Sequence, residues 1–184
     1  RKLLTLGLKE TNIRVLGGLL ASHLLAQSHL PDYDGVLLAK AADLGERLLK
    51  AFDTPTGIPL NRINLRNGVV RRSAHVETCA ACAGTLLLEF GVLSRLTGDS
   101  RYENAARRAL FALYERRSEL GLLGNVIDSH SGLWTWSHAH TGAGIDSLCT
   151  SSTPNSTNTH KYARTCKRGH RHYTLTNDSP QIYI

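Results

Sequence analysis

The sequence predicts an all-α fold of paired helices, and three observations carry that prediction. Apolar residues recur at i, i+3, i+4 spacing through four separate stretches, the connectors between them are rich in Gly, Pro and Asp, and β-type alternation is confined to short runs. With 184 residues and 41% hydrophobic content, the chain has enough material for one domain with a core of ordinary size.

In chain order, Ile13, Leu16, Leu20 and Leu24 place a first helix over residues 10–27, ending before His29-Leu30-Pro31. Gly17 and Gly18 each cost about 1 kcal/mol relative to Ala in a helix interior, so a close neighbour is expected there. Leu37, Leu38, Ala41, Leu44 and Leu48 define a second helix over residues 34–51, with Asp32 or Asp34 as its cap. Asp53-Thr54-Pro55-Thr56-Gly57-Ile58-Pro59 is turn chemistry, and the alternation of Ile63, Leu65 and Val69 predicts a short hairpin or extended connector over residues 61–70. A third helix is expected over residues 76–96, with a small-residue start at 80–84 that permits close approach. Thr97-Gly98-Asp99 closes it and caps a fourth helix over residues 100–117. Val126-Ile127 and Leu133-Trp134-Thr135-Trp136 then flank a turn, the pattern of a small β-hairpin. Residues 148–184, rich in Ser, Thr and Asn, show neither period and are expected to be a disordered basic tail.

Charge excludes a nucleic-acid face on the folded part. The net charge is +7, yet residues 10–147 contain fourteen Lys plus Arg against fourteen Asp plus Glu, so the excess lies at the two ends. The apolar run around residues 16–25 is interrupted by Ser22 and His23 and is too short to cross a bilayer, so membrane association is not indicated. Four cysteines are too few for a disulfide scaffold and fit either redox compartment.

Candidate chemistry rests on a few acids and one cation. Glu10 and Arg14 stand one helical turn apart, which is also the spacing of an ordinary exposed ion pair. Glu77 at the start of the third helix is equally well explained as a favourable charge on the macrodipole, and Asp146 follows the glycine-rich Gly142-Ala143-Gly144-Ile145, where an N-cap would do as well. Cys79 and Cys82 have redox or half-zinc spacing, but without a second Cys or His pair they read better as buried small residues. Cys166, His170 and His172 in the tail are assigned no metal. Walker, G-x-S-x-G and H-E-x-x-H patterns are absent.

Taken together, Glu10-Thr-Asn-Ile-Arg-Val-Leu-Gly-Gly-Leu-Leu20, Ala51-Phe-Asp-Thr-Pro-Thr-Gly-Ile-Pro59, Glu89-Phe-Gly-Val-Leu-Ser-Arg-Leu-Thr-Gly-Asp99 and Gly142-Ala-Gly-Ile-Asp-Ser147 resemble the class I α-1,2-mannosidases of glycoside hydrolase family 47. Glu77-Thr-Cys-Ala-Ala-Cys-Ala-Gly-Thr85, with Gly144 where processing mannosidases carry Arg, is most similar to the endoplasmic-reticulum degradation-enhancing branch. The resemblance covers residues 10–147. It implies a partial (α/α)7 barrel, Ca2+, and inverting hydrolysis of α-1,2-linked mannose from high-mannose N-glycans on misfolded glycoproteins in the endoplasmic reticulum lumen. It assigns catalysis to Glu10 and Asp146 and sugar contacts to Arg14 and Glu77.

Inverting hydrolysis needs one carboxyl that donates a proton and one carboxylate that activates water, about 6.5–9.5 Å apart. A directly paired cation favours an ionised carboxylate, so a working site requires Arg14 to clamp sugar hydroxyls or another acid instead of Glu10. The pattern stops abruptly at Lys9 and at Leu148-Cys149-Thr150, both positions where the family carries aromatic residues, and charge and composition change at the same points. The expected organisation is therefore a non-matching segment 1–9, a partial mannosidase domain 10–147 and a non-matching tail 148–184. The family's Ca2+ ligand and another catalytic acid belong to later helices, so a truncated or frameshifted chain, inactive alone, is expected. Alternatives are a mannose-glycan binding module without catalysis and a non-functional remnant.

Overall fold

The computed structural model describes residues 5–66, 76–140, 142–145 and 147–148, together with the backbone of 173–174 and 181–182. A short strand β1 (Thr5–Gly7) leads into one continuous helical rod: α1 (Leu8–Glu10), a π-helical segment (Thr11–Leu16) and α2 (Gly17–His29). The Gly17 N–H reaches the Asn12 carbonyl five residues back, the bond that defines the π turn. After a connector, α3 (Val36–Leu49) packs along α2; its cap is Gly35 (φ +81°) and not Asp32 or Asp34 as expected, although Asp34 Oδ1, one residue earlier, accepts from the Val36 amide at 3.1 Å. A 3₁₀ turn (Lys50–Phe52) and the Pro55-containing turn lead to β2 (Arg62–Asn64), which pairs antiparallel with β1 so that Leu6 faces Ile63. The extended connector expected over residues 61–70 is thus a strand in its first part, but its partner is the N-terminal strand; residues 67–70 of that expectation lie outside the described residues.

The third helix departs from expectation. Residues 77–79 form β3 (Glu77–Cys79), and the helix starts only at α4 (Ala80–Gly84), breaks at Thr85-Leu86 and resumes as α5 (Leu87–Thr97). Cross-strand pairing to β4 (Val126–Asp128) decides the conformation at residues 77–79, where the apolar helical spacing had suggested a helix. Over Ala80–Thr97 the mean hydropathy of 1.3 is high enough for a membrane span by composition, although the earlier run at 16–25 had looked the longest. It is instead a core element: two helices in succession, half buried. Gly98 (φ +75°) ends α5 in the left-handed conformation that glycine tolerates, and Asp99 Oδ1 accepts from the Arg101 amide at 2.9 Å to cap α6 (Ser100–Glu115).

The expected hairpin forms from β4 and β5 (Trp134–Trp136), and β3 joins it to give the order β3-β4-β5. A third small sheet, β6-β7-β8, pairs His138–Ala139 with Tyr173–Thr174 and these with Gln181–Ile182. Leu148, the first residue of the expected tail, is buried among Ala80, Ala81, Leu110, Leu123 and Ile145.

The main core lies between α2, α3, α5 and α6, filled by Leu16, Leu20, Leu44, Leu48, Phe90 and Leu93. Phe90 is its centre, 5.4 Å from the Phe52 ring and edge-on to Tyr102 at 5.9 Å. Close glycine packing is found at Gly45, where an added Cβ would strike Leu93 and Tyr102, and at Gly84, against Leu113 and Leu148. At Gly17 the nearest neighbour of such a Cβ is Glu89 Cγ at 3.5 Å, an ordinary contact, and at Gly18 there is open space. The expected tight approach therefore holds for residues 80–84 but not for the Gly17-Gly18 pair.

Candidate functional site

Helix α4 is the meeting point of the chemistry-bearing segments. It touches α1, which ends at Glu10, and its Ala81 amide donates to the Gly144 carbonyl at 2.8 Å, while the Ala80 amide donates to the Asn125 carbonyl at 2.8 Å. Three segments far apart in sequence are thereby tied to one short helix.

On the first rod, Glu10 Oε2 accepts from Arg14 Nε at 2.6 Å, with both side chains largely in solvent. Such an exposed pair contributes at most about 1 kcal/mol to stability. The arrangement is the ion pair that the sequence reading set against catalysis, since here the Glu10 oxygen accepts a hydrogen bond whereas an acid catalyst must donate one. Two residues on, the fully buried Asn12 donates through Nδ2 to Glu89 Oε2 at 2.7 Å, joining the π segment to α5, while Asn12 Oδ1 has no partner among the described residues. Neither Asn12 nor Glu89 was singled out from the sequence. Both sit inside the motifs quoted above, and the available signal was a polar residue on the core face of an apolar helix.

Glu77 is exposed on β3 and does not cap a helix. The capping position belongs to Cys79, whose Sγ accepts from the Cys82 amide at 2.9 Å. Strand pairing places Glu77 directly across from Asp128. Like charges so placed repel, and Asp128 is held by other groups: its Oδ1 accepts from the Ser131 and His130 amides, both at 2.8 Å, and these bonds keep its carboxyl below the usual carboxylate range, the Ser131 amide most of all. Cys79 and Cys82 are not simply buried small residues, as the sequence suggested, but are joined to each other by a disulfide.

Asp146 lies outside the described residues, as do Cys166, His170 and His172. Its neighbours are firmly held: Ile145 and Leu148 are buried against Ala80, Ala81, Leu110 and Leu123, and the Leu148 amide donates to the Ile145 carbonyl at 3.0 Å. Gly144 has φ +97°, and a Cβ there would collide with the Asn125 side chain. An Arg at this position would strain the backbone and force the Asn125 side chain to move. On the buried face of β3 and just before β4, Thr78 Oγ1 and Asn125 Oδ1 also lack partners among the described residues. Among the described residues no three His, Cys, Asp or Glu side chains come together as a ligand set.

By backbone the chain falls in the (α/α)7-barrel class: it is similar to the α-1,2-mannosidase from Trichoderma reesei with a TM-score of 0.77 at 27% identity, covering 89% of this chain and 36% of that one. The model of glycosyl hydrolase family 47 matches residues 5–173, and the chain belongs to that family. It is 50% identical over 144 residues to ER degradation-enhancing alpha-mannosidase-like protein 1 of Schizosaccharomyces pombe, a match covering 76% of this chain and 18% of that protein. It is 46% identical over 144 residues to ER degradation-enhancing alpha-mannosidase-like protein 2 of Homo sapiens, covering 75% and 25% respectively. The chain thus spans a quarter or less of these relatives' length.

Proposed function

We propose that this chain is part of an inverting α-1,2-mannosidase that trims high-mannose N-glycans on misfolded glycoproteins in the lumen of the endoplasmic reticulum. Family membership supports the reaction class, and the convergence of the Glu10 segment and the 142–145 turn on α4 is the observation that carries the site. In this reading Glu10 is the general acid and Asp146 a second catalytic carboxylate, while Arg14 and Glu77 bind sugar hydroxyls. Substrate must draw Arg14 away from Glu10, because a general acid has to donate a hydrogen bond from that carboxyl whereas here it accepts one. Calcium enters by family resemblance alone. Glu77 and Asp128, paired across two strands, do not make a site for it: one Asp128 oxygen is taken by two backbone amides and no third acidic, His or Cys side chain joins them among the described residues, so no step is routed through the ion.

The test places residues 10–147 within a barrel of the relatives' full length. Glu10→Gln should abolish mannose release from an α-1,2-linked mannobiose while leaving glycan binding within a few-fold, since Gln keeps size and polarity but has no proton to deliver. Arg14→Gln should weaken binding as well. If Glu10→Gln removes binding and release together, Glu10 is structural. The 184-residue chain itself should release no mannose, with or without added Ca2+.

A second reading, a glycan-binding module without catalysis, is favoured by the Glu10–Arg14 ion pair, which offers hydrogen-bonding groups in a fixed arrangement. Binding of mannobiose by a full-length form that never releases mannose would select it.

A further inference from the structure

The π turn in the first rod is gripped from outside the rod. A π segment carries more residues per turn than an α-helix and occurs mostly as a single turn, often at functional sites. Its defining bond here runs from the Gly17 amide to the Asn12 carbonyl, and Glu89 of α5 touches both of those residues. Asn12 Nδ2 donates to Glu89 Oε2 at 2.7 Å. Glu89 Cγ lies 3.5 Å from the place a Cβ on Gly17 would take, with Glu89 Oε1 at 3.8 Å. One half-buried side chain thus spans the two ends of the turn.

The pair is built at a cost that a packing contact does not need. Asn12 is fully buried, and because a carboxylate only accepts, its amide nitrogen must face Glu89, which leaves Oδ1 with no partner among the described residues. A leucine, of nearly the same shape, would leave no such orphan. The rod is fixed on either side by other means. Leu8 is buried and its amide donates to the Asn61 carbonyl at 2.8 Å, Thr11 Oγ1 donates to the Gly7 carbonyl at 2.8 Å, and Leu16 and Leu20 fill the core. Glu10 and Arg14, between these anchors, are largely in solvent. The rod, and not packing of their own, sets the direction in which they point.

We propose that the Asn12–Glu89 bond pins the π turn beside Glu10 and makes both of its members positioning residues for mannose trimming, an inference that rests on the reading of Glu10 as the general acid. With the bond in place, the surplus residue of the rod is confined to Thr11–Leu16. Without it the surplus is free to pass along the helix, one backbone bond exchanging at a time, and each residue it passes turns about the axis. Glu10 and Arg14 then divide their time among several directions, of which one serves the glycosidic bond. Glu89 neither gives a proton to the sugar nor takes one; its carboxylate acts through Asn12.

The test uses variants of the full-length barrel described above. Asn12→Leu, which removes the bond and the orphan oxygen together, should melt no lower than the parent, yet release mannose at least about tenfold more slowly. Asn12→Asp sets a second carboxylate against Glu89 and should lose at least as much. Adding Glu89→Gln to Asn12→Asp should restore release to within about threefold of the parent, because donor and acceptor then change places across the same gap. Release that falls only in step with the melt, or does not fall, marks the pair as structural and overturns the proposal. So does a Glu89→Gln variant that is inactive with or without Asn12→Asp, since Glu89 would then belong to the chemistry itself. Should Asn12→Asp fail to fold alone, Asn12→Leu and the double variant decide. A readout free of mannose is hydrogen exchange at the Gly17 amide, which Asn12→Leu should speed at least about tenfold with α5 and α6 unchanged; equal exchange overturns the clamp. If the parent barrel releases no mannose, the reading of Glu10 has failed separately, and the Gly17 exchange still shows whether the clamp exists.

Discussion

The four-helix core and the region around α4 are built on opposite rules. Between α2, α3, α5 and α6 the volume is filled mainly by aliphatic and aromatic side chains, with the rings of Phe52, Phe90 and Tyr102 in tilted and edge-on contact through its middle, and the polar groups it buries, Asn12, His23 and Ser94, each make a side-chain hydrogen bond. Around α4 the buried volume is shared with polar atoms that have no partner among the described residues, namely Thr78 Oγ1 and Asn125 Oδ1, and acids face each other across a strand pair. Leaving such atoms unpaired costs stability. A region that carries this cost at two atoms beside one that carries it only at Asn12 Oδ1, where the first rod meets α5, is the pattern of a scaffold and the site it supports.

The largest effect that could break this contrast lies in the core. Phe90→Ala should destabilise the chain by about 3–5 kcal/mol, read as a lower urea midpoint at unchanged slope. A loss no greater than that of a surface substitution would mean the helices do not share one core. Next are two glycines of opposite expected sign. Gly45→Ala must push Leu93 and Tyr102 aside and should cost about 1–3 kcal/mol, whereas Gly18→Ala meets open space in a helix interior and should stabilise by about 0.5–1 kcal/mol. Thermal melts of the two variants moving in the same direction would refute the packing described.

Near the site the expected effects are smaller. Because the Ser131 and His130 amides hold the Asp128 carboxyl below the usual carboxylate range, its folded form binds its proton less readily than its unfolded form. Its contribution is therefore full at neutral pH and is lost as pH falls below about 4. Asp128→Asn should flatten the acid limb of a stability–pH curve, and an unchanged limb would show the turn contributes nothing there. Thr78→Val should stabilise the chain by about 1 kcal/mol, because it removes a buried hydroxyl that has no partner among the described residues. A marked loss would reveal a partner for that oxygen and weaken the contrast between the regions.

The sequence made the helical framework readable where local signals agree. Leu44, Leu48 and their spacing defined α3, and Gly98-Asp99 marked the join of α5 and α6 to the residue. It misled at residues 76–79, where an apolar helical run hides a strand whose partner lies about fifty residues on; only that long-range pairing decides the conformation. The glycine argument failed at Gly18 and missed Gly45 because spacing reports that a glycine is on a helix, not which helix it meets. For the site, Glu10 and Arg14 were found together as their spacing required, while the Asn12–Glu89 bond joins residues 77 apart and has no local signature. Family membership was legible from four short motifs, and the motifs, rather than any one acid, carried it.

The π turn between Thr11 and Leu16 has a consequence for inheritance. One residue more than an α-helical turn requires is accommodated in this segment. Successive residues of an α-helix are rotated by about 100° around its axis. A gene that lost a single codon within this segment would leave an unbroken α-helix, and because the π turn already absorbs the extra residue, Glu10 would keep nearly its present direction relative to Leu16 and Leu20. A substitution that converted the π turn to α without a deletion would instead swing Glu10 by about 100°, so a one-residue gap in an alignment here preserves where the first acid points, and an ungapped change of helix type does not.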